Sequence, residues 1–419
     1  MFIFFCYIIL SPIIFGIIVF SSIFNAKIRA HLWNGRKSIK LARTKINSSP
    51  EHNKEVILFH AASAGEYEQL KPILKDIDRA KYFVIATFFS PTIFEKEKDT
   101  ELVDSVCYHP FDLPWSAILF FIKLKPQRYI ITRHDVWPFH IYFARVFGIQ
   151  TILINANLYP DSKRFLFGLK SFNGWLFHQF DLILTGSENL KNTILSLSPK
   201  SNVKITGDSR FDQVIERSQN IKKNLLPSIF ENSSNIILGS IVDSDLPILS
   251  QAFDKLGTDF FNNDIRLIIV PHEVQDSDLK PIENLLNKKG LSHQRITQFE
   301  DFNPPKILIV DKVGILADLY AYAKIAYIGA GFSTGVHSVI EPAVHKCLVV
   351  YGPRLDILDE AVEMAKIKAG IVIHSGIELA EVFFKIKYST EIKKLGNSAY
   401  QFIIKKQYAS KRIINEIFS

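Results

Sequence analysis

The first fifty residues, Met1 to Pro50, contain no aspartate or glutamate, although Lys27, Arg29, Arg36, Lys37, Lys40, Arg43 and Lys45 all lie there. The overall excess of basic residues, a formal net charge of +8, is therefore a local collar. It does not spread into the broad basic surface that nucleic acid would require. Cysteine is scarce: Cys6, Cys107 and Cys347 are far apart, with neither disulfide nor metal-ligand spacing, and a reducing compartment is expected. A P-loop and an H-E-x-x-H helix are both missing, which argues against ATPase and metallopeptidase chemistry, and a metal-free reaction without a cofactor is expected. No repeat of 20 to 50 residues and no low-complexity tract is present, so solenoids and disordered scaffolds recede.

What is present begins with an apolar run. Phe2 to Phe24 carries no charge and is long enough to cross a hydrocarbon core of about 30 Å at about 1.5 Å per residue. The basic residues follow this run, the reverse of a cleaved signal peptide. The positive-inside rule then predicts a single-pass anchor with its N-terminus outside and the rest of the chain in the cytoplasm, its collar held against anionic lipid.

From Glu55 onward, short apolar runs alternate with helix-length segments, the pattern of a parallel sheet covered on both faces. The strand-like runs of the first half are 56–60, 82–89, 128–133, 151–156, 182–187 and 203–207. Those of the second half are 235–241, 265–271, 306–311, 325–331 and 347–352, with helices expected over 246–256 and 280–289. The polar stretch around 217–235, with Pro227 and ENSSN, separates the two. The expected fold class is α/β, with two Rossmann-like domains facing across a cleft behind one N-terminal transmembrane helix. The divisions are 1–24 anchor, 25–50 juxtamembrane segment, 51–216 N-terminal domain, 217–235 linker and 236–419 C-terminal domain, whose last helix is free to pack back on the N-terminal domain.

The chemistry is expected at strand ends. FHAASAGEYEQLKPIL (59–74) reads as strand, tight turn and helix, placing Glu66 in the first helical turn at the carboxyl edge of the sheet. Two readings of Glu66 stand at this level: an acid complementing the helix dipole, or a catalytic carboxylate. IGAGFSTGVHSVIEPA (328–343) is a strand, a glycine-rich loop and a helix start. Its amides suit a phosphate and Glu341 suits ribose hydroxyls. His272 in VPHE and Gly314 in VDKVGIL end two further strands. Arg210 in GDSRFD is a planar cation able to grip a carboxylate or phosphate, or to pair with Asp208 or Asp212.

Taken together, HAASAGE, TRHDVWP (132–138), INANL (154–158), GDSRFD, VPHE, VGIL and GVHSVIEPAVHK (335–346) resemble, in order and spacing, the lipid A Kdo transferases, which move 3-deoxy-D-manno-oct-2-ulosonic acid from CMP-Kdo to a lipid A precursor. The resemblance implies a GT-B fold, inverting transfer and a place on the cytoplasmic face of the inner membrane of a Gram-negative bacterium. By position it makes Glu66 the general base and Arg210 the transition-state cation. It assigns CMP to Pro271 and His272, to Val313, Gly314 and Ile315, and to Ser338, Val339, Ile340 and Glu341. The family often has Arg at 272 and Asn at 338. It usually has Glu-x-Glu before Trp-Pro, where this chain has Arg133, His134 and Asp135. The supporting role of the first of those acids is therefore lost, moved to Asp135, or converted at Arg133 into binding of the acidic sugar. The partners implied are CMP-Kdo, a lipid A precursor and the membrane. The competing readings are a GT-B relative using another nucleotide sugar and an inactive, membrane-bound nucleotide-binding protein.

Overall fold

The computed structural model describes residues 2–49, 54–222, 224–262, 264–300 and 304–419. They form two units, one of Met1–Gln213 with Tyr408–Ser419 and one of Val214–Gln407.

In the first unit, α1 (Phe2–Phe24) and α2 (Ala26–Asn47) precede β1 (Glu55–Ala61), α3 (Ala64–Lys75), β2 (Tyr82–Phe88), α4 (Pro91–Glu97), β3 (Ser105–Tyr108), α5 (Pro114–Leu124) and β4 (Arg128–Thr132). Then come α6 (Pro138–Val146), β5 (Gln150–Ala156), α7 (Leu169–Phe177), β6 (Leu182–Thr185), α8 (Glu188–Leu197), β7 (Val203–Ile205) and α9 (Arg210–Gln219). The seven strands are parallel where they pair, in the order β3-β2-β1-β4-β5-β6-β7. Central strands such as β1 are buried on both faces because helices cover both sides, which is why they read as continuous apolar runs.

The second unit contains α10 (Ser228–Glu231), β8 (Ser234–Ile241), α11 (Leu246–Leu256), β9 (Ile265–Pro271), α12 (Asp276–Lys288), β10 (His293–Arg295), β11 (Ile307–Ile309), α13 (Leu316–Leu319) and β12 (Ala323–Ile328). It continues through α14 (Ile340–Val344), β13 (Leu348–Tyr351), α15 (Asp359–Lys366), β14 (Gly370–Val372), α16 (Gly376–Phe384) and α17 (Ser389–Lys405). Its parallel sheet runs β10-β11-β9-β8-β12-β13-β14. Three strands absent from the sequence reading, β3, β10 and β14, are all at sheet edges. An edge strand pairs on one side only, and β10, reading His-Gln-Arg, offers no apolar run to detect. The helix expected over 280–289 begins earlier, at Asp276.

The last helix, α18 (Ala409–Ile417), belongs to the first unit. Ile413 and Ile417 enter the core formed by β1 and α3. Asp212 fastens the chain there by accepting from Tyr408 N at 2.5 Å and from Ser410 N and Oγ at 2.6 Å each.

Beneath the carboxyl edge of the first sheet lies a column of histidine rings. His60 and His109 are 4.0 Å apart between centroids, and His109 and His140 are 4.2 Å apart. His109 donates from Nδ1 to the Pro110 carbonyl (3.0 Å), and its Nε2 lies 2.6 Å from the Tyr129 hydroxyl. Burial, and then the neighbouring His60 and His140, hold its pKa well below the ordinary range. Burial also lowers His140, against the pull of Asp112, and lowers His31, against its backbone hydrogen bonds.

Two outcomes follow from this packing. Asp212→Ala should increase hydrogen exchange across 408–419 roughly tenfold, about 1.4 kcal/mol for the lost charge-assisted bonds, with little change in the β9 amides. Because folding depresses the pKa values of His31, His109 and His140, their contribution is fully present above the unfolded value of about 6.5 and is lost as pH falls below it. Denaturation of the first unit between pH 7 and pH 5 should therefore show stability falling with acidification, and His109→Gln should reduce that slope by about one proton, or about 1.4 kcal/mol per pH unit.

Candidate active site

Glu66 stands where the parallel sheet requires β1 to turn into α3. Ser63 is the N-cap: its Oγ accepts from Glu66 N at 3.3 Å, while Glu66 Oε2 accepts from Ala62 N at 2.7 Å and Ser63 N at 3.1 Å. This capping box satisfies amides that the first helical turn would otherwise leave unpaired. It also holds the carboxylate in one orientation, with only 7% of the residue exposed. Both of these bonds fall on a single oxygen, so the cap engages only one side of the carboxylate.

The neighbouring strand end is built differently from the expected pair of acids. Arg133 leaves β4 with φ +65°, its N–H bonded to the Ile154 carbonyl at 2.8 Å. Asp135 Oδ2 accepts from His60 Nε2 at 2.7 Å and from Trp137 Nε1 at 2.8 Å. Burial alone would raise the Asp135 pKa, but the hydrogen bond and charge of His60, followed by Trp137, bring it below the usual carboxylate range. On its other side, His60 Nδ1 lies 2.9 Å from the Thr87 hydroxyl and 3.2 Å from the Thr87 carbonyl. β1 and β4 are adjacent, with His60 opposite Ile131, so Glu66 and Asp135 follow neighbouring strands. Arg164 also reaches this turn, donating from one terminal nitrogen to the His134 carbonyl and from the other to Asn173 Oδ1, both at 2.9 Å.

Arg210 opens α9. Its Nε and its backbone N each donate to Asp208, at 2.8 Å. Of the two pairings open in the sequence, Asp208 is the one made, and Asp212 is engaged with the C-terminal segment. Beside Arg210, buried Ser209 donates to the Gln69 carbonyl of α3 (2.7 Å), and its Oγ and N take both ends of the Asn155 amide, at 2.7 and 3.0 Å. INANL and GDSRFD therefore anchor α3, the helix that carries Glu66. Sequence reasoning missed this role of Asn155 and Ser209, and also His60 and Arg164. The signal for the first three was a polar side chain at the end of an apolar run.

In the second unit, β9, β8 and β12 are consecutive and β11 flanks β9, so their carboxyl ends share one edge. Pro271 closes β9, and the His272 ring lies flat on His337 at 4.5 Å and 11°. This contact joins the β9 end to the loop after β12. Burial, and then His272, lower the His337 pKa. His272 also borders a cavity of about 130 Å³ that carries Asp243, Glu273 and Asp278. Val313 is 73% exposed and Gly314 adopts φ +80°, a conformation suited to glycine, while Ile315 precedes α13. Ser338 is half-buried, Val339 and Ile340 are buried, and Glu341 lies in the first turn of α14. Burial, and then the Glu341 charge, raise the Tyr320 phenol far above its ordinary pKa.

One glycine of the G-x-G loop has a packing purpose. A Cβ on Gly331 would lie 2.5 Å from Gly352 N, so the loop needs glycine there to pass the neighbouring backbone. Asp245, fully buried, orders the same edge by accepting from Tyr327 Oη (2.7 Å), Ala330 N (2.9 Å) and Val242 N (3.0 Å).

Residues 30–213 match the family model described as 3-deoxy-D-manno-octulosonic-acid transferase (kdotransferase). The 3-deoxy-D-manno-octulosonic acid transferase of Aquifex aeolicus is 27% identical over 329 residues, covering 78% of this chain and 84% of the relative. The Chlamydia muridarum protein of the same name is 27% identical over 326 residues, covering 75% of this chain and 74% of its own. A glycosyltransferase structure from Rickettsia africae, 15% identical, has a TM-score of 0.61 and covers 87% of this chain and 97% of that one, a likeness of fold. The chain is a glycosyltransferase of the GT-B fold, related to the 3-deoxy-D-manno-octulosonic acid transferases and matching their family over residues 30–213.

Proposed function

We propose that this enzyme transfers Kdo from CMP-Kdo to a lipid A precursor such as lipid IVA, in lipopolysaccharide synthesis, at the cytoplasmic face of the inner membrane. The observation that carries the mechanism is the seat of Glu66 in the part of the chain that matches the Kdo transferases: Oε2 is held by two amides, and among the described residues no hydrogen bond to Oε1 accompanies them. Oε1 takes the proton of the acceptor hydroxyl as that oxygen attacks the anomeric carbon. The bond from that carbon to the phosphate oxygen breaks on the opposite side, CMP departs with the electron pair, and the configuration inverts.

Arg210, already aligned by Asp208, stabilises charge that grows in this displacement. In the second unit, Pro271 and His272, Val313 to Ile315 and Ser338 to Glu341 hold CMP, with loop amides on phosphate and Glu341 on ribose. CMP is a stabilised leaving group, so the reaction as proposed needs a base and donors, and no metal. Arg133, in place of a family acid, serves the carboxylate of the sugar, while the acid of this strand end is Asp135, fixed by His60.

The capping box determines the informative variant. Glu66→Gln keeps an oxygen for the amides of Ala62 and Ser63 but cannot accept the proton. It should lower kcat about 10²- to 10⁴-fold while leaving CMP affinity and thermal stability nearly unchanged. Mass spectrometry of the product from CMP-Kdo and lipid IVA measures the first, and turnover equal to the parent would reduce Glu66 to a helix cap. Competition binding separates the nucleotide readings: CMP should displace a labelled cytidine nucleotide and UDP should not, whereas the reverse order would point to a different nucleotide sugar. CMP binding without transfer to any acceptor would leave only a nucleotide-binding protein.

A further inference from the structure

α1 has the length and composition of a membrane span, and one side of it also packs on the first unit. It is docked lengthwise on the first unit. The stripe Phe4, Tyr7, Ser11, Ile14 and Ile18, at helical spacing, faces the protein, and Phe4 and Ser11 are only 5% and 1% exposed. The Phe4 ring lies 5.3 Å from Phe139, 4.9 Å from Tyr142 and 5.1 Å from Trp175, on α6 and α7. Tyr7 stacks on Phe139 at 4.5 Å and donates its hydroxyl to the Asp112 carbonyl at 3.0 Å. Farther along, Phe15 meets Trp115 of α5 edge-on at 5.9 Å.

A helix that carried its N-terminus across a bilayer would have to give these contacts up. For Phe4 and Tyr7 to reach the far leaflet, they would have to abandon Phe139 and Trp175 or pull that face of the catalytic unit down with them. The opposite side of α1 is apolar and open: Phe5, Ile9, Ile13 and Phe20, again at helical spacing, are all exposed. A face of that extent marks a partner.

The chemistry of its borders identifies that partner as an anionic lipid leaflet. Arg36, Lys37, Lys40 and Arg43 of α2 and Lys123 of α5 together line one surface hollow. An apolar cavity of about 140 Å³ adjoins it, lined by Phe15, Leu32, Ile39, Trp115, Leu119 and Phe120 among others, with Arg36 and Lys123 shared between the two. Apolar side chains beside a group of like cations match acyl chains beneath phosphate head groups.

We propose that α1 lies in the plane of one leaflet, its outer face inserted and its inner face on the protein, so that the N-terminus stays on the same side as Glu66. This replaces the single-pass, N-terminus-outside topology expected from the charge pattern, and it rests on the proposed seat of the enzyme at the membrane. In-plane docking holds the first unit at a constant height above the lipid surface, where a lipid acceptor is presented.

Site-directed spin labelling of the full chain tests it. Phe5→Cys, Ile9→Cys, Ile13→Cys and Phe20→Cys, each with Cys6→Ser, are labelled and reconstituted into phosphatidylethanolamine vesicles containing phosphatidylglycerol. Depth is read from relative accessibility to oxygen and to a water-soluble nickel chelate. In-plane docking predicts four depths within about 5 Å of one another, because one face of a horizontal helix lies at one level. A crossing helix would spread Phe5 and Phe20 by about 22 Å along its axis, at about 1.5 Å per residue, and would overturn the proposal. Four water-exposed labels would overturn it too, and with it the membrane seat, whereas a graded spread would leave that seat standing. The side is read independently: Phe2→Cys in the same background should resist a membrane-impermeant maleimide in intact cells and react in inverted vesicles, and labelling in intact cells would refute it.

Discussion

Parallel pairing is the constraint on which this molecule depends. A parallel strand must return by a crossover, so every strand in each sheet ends at the same edge and hands the chain to a loop or helix there. β1 therefore delivers Glu66, β4 delivers Arg133 to Asp135, and β7 delivers Arg210, all to one edge of the first unit. The second unit does the same with His272 after β9, Val313 to Ile315 after β11, and the glycine-rich loop after β12. Burial of both sheet faces excludes water from the strands and leaves the polar chemistry to the turns.

At that edge one carboxylate serves the fold through one oxygen and, in the proposed reaction, takes a proton on the other. The carboxylate that satisfies two amides at the start of α3 is also the one proposed to take a proton, and its orientation comes from the fold. Asn155 and Ser209 extend the logic, tying the ends of β5 and β7 to Gln69 on the same helix. Where the family usually has two acids, this chain has a cation at Arg133 and keeps a single acid, Asp135, pinned by a buried histidine and a tryptophan indole.

The same economy governs the N-terminus. Helix α1 is apolar all round, but its two faces meet different surroundings: aromatic rings of α6 and α7 on one, open surface on the other. Periodicity could not separate these faces, because Phe4 and Phe5 are the same residue type with opposite fates.

Taken alone, the sequence determined the alternation of strands and helices, the two α/β units, and the motifs that placed Glu66, Arg210, His272 and Glu341 at strand ends, because buried parallel strands and their turns write themselves as apolar runs broken by small and polar residues. The strands β3, β10 and β14 escaped it, since β3 and β14 are only four and three residues long and β10, reading His-Gln-Arg, has no apolar run. Only the tertiary structure decided that Arg210 pairs with Asp208, that His60 fixes Asp135, that the last helix belongs to the first unit, and that α1 lies along the protein. Each of these is a contact between residues distant in sequence or a choice among equivalent local partners, and local patterning carries no information about which partner the packed chain brings within reach.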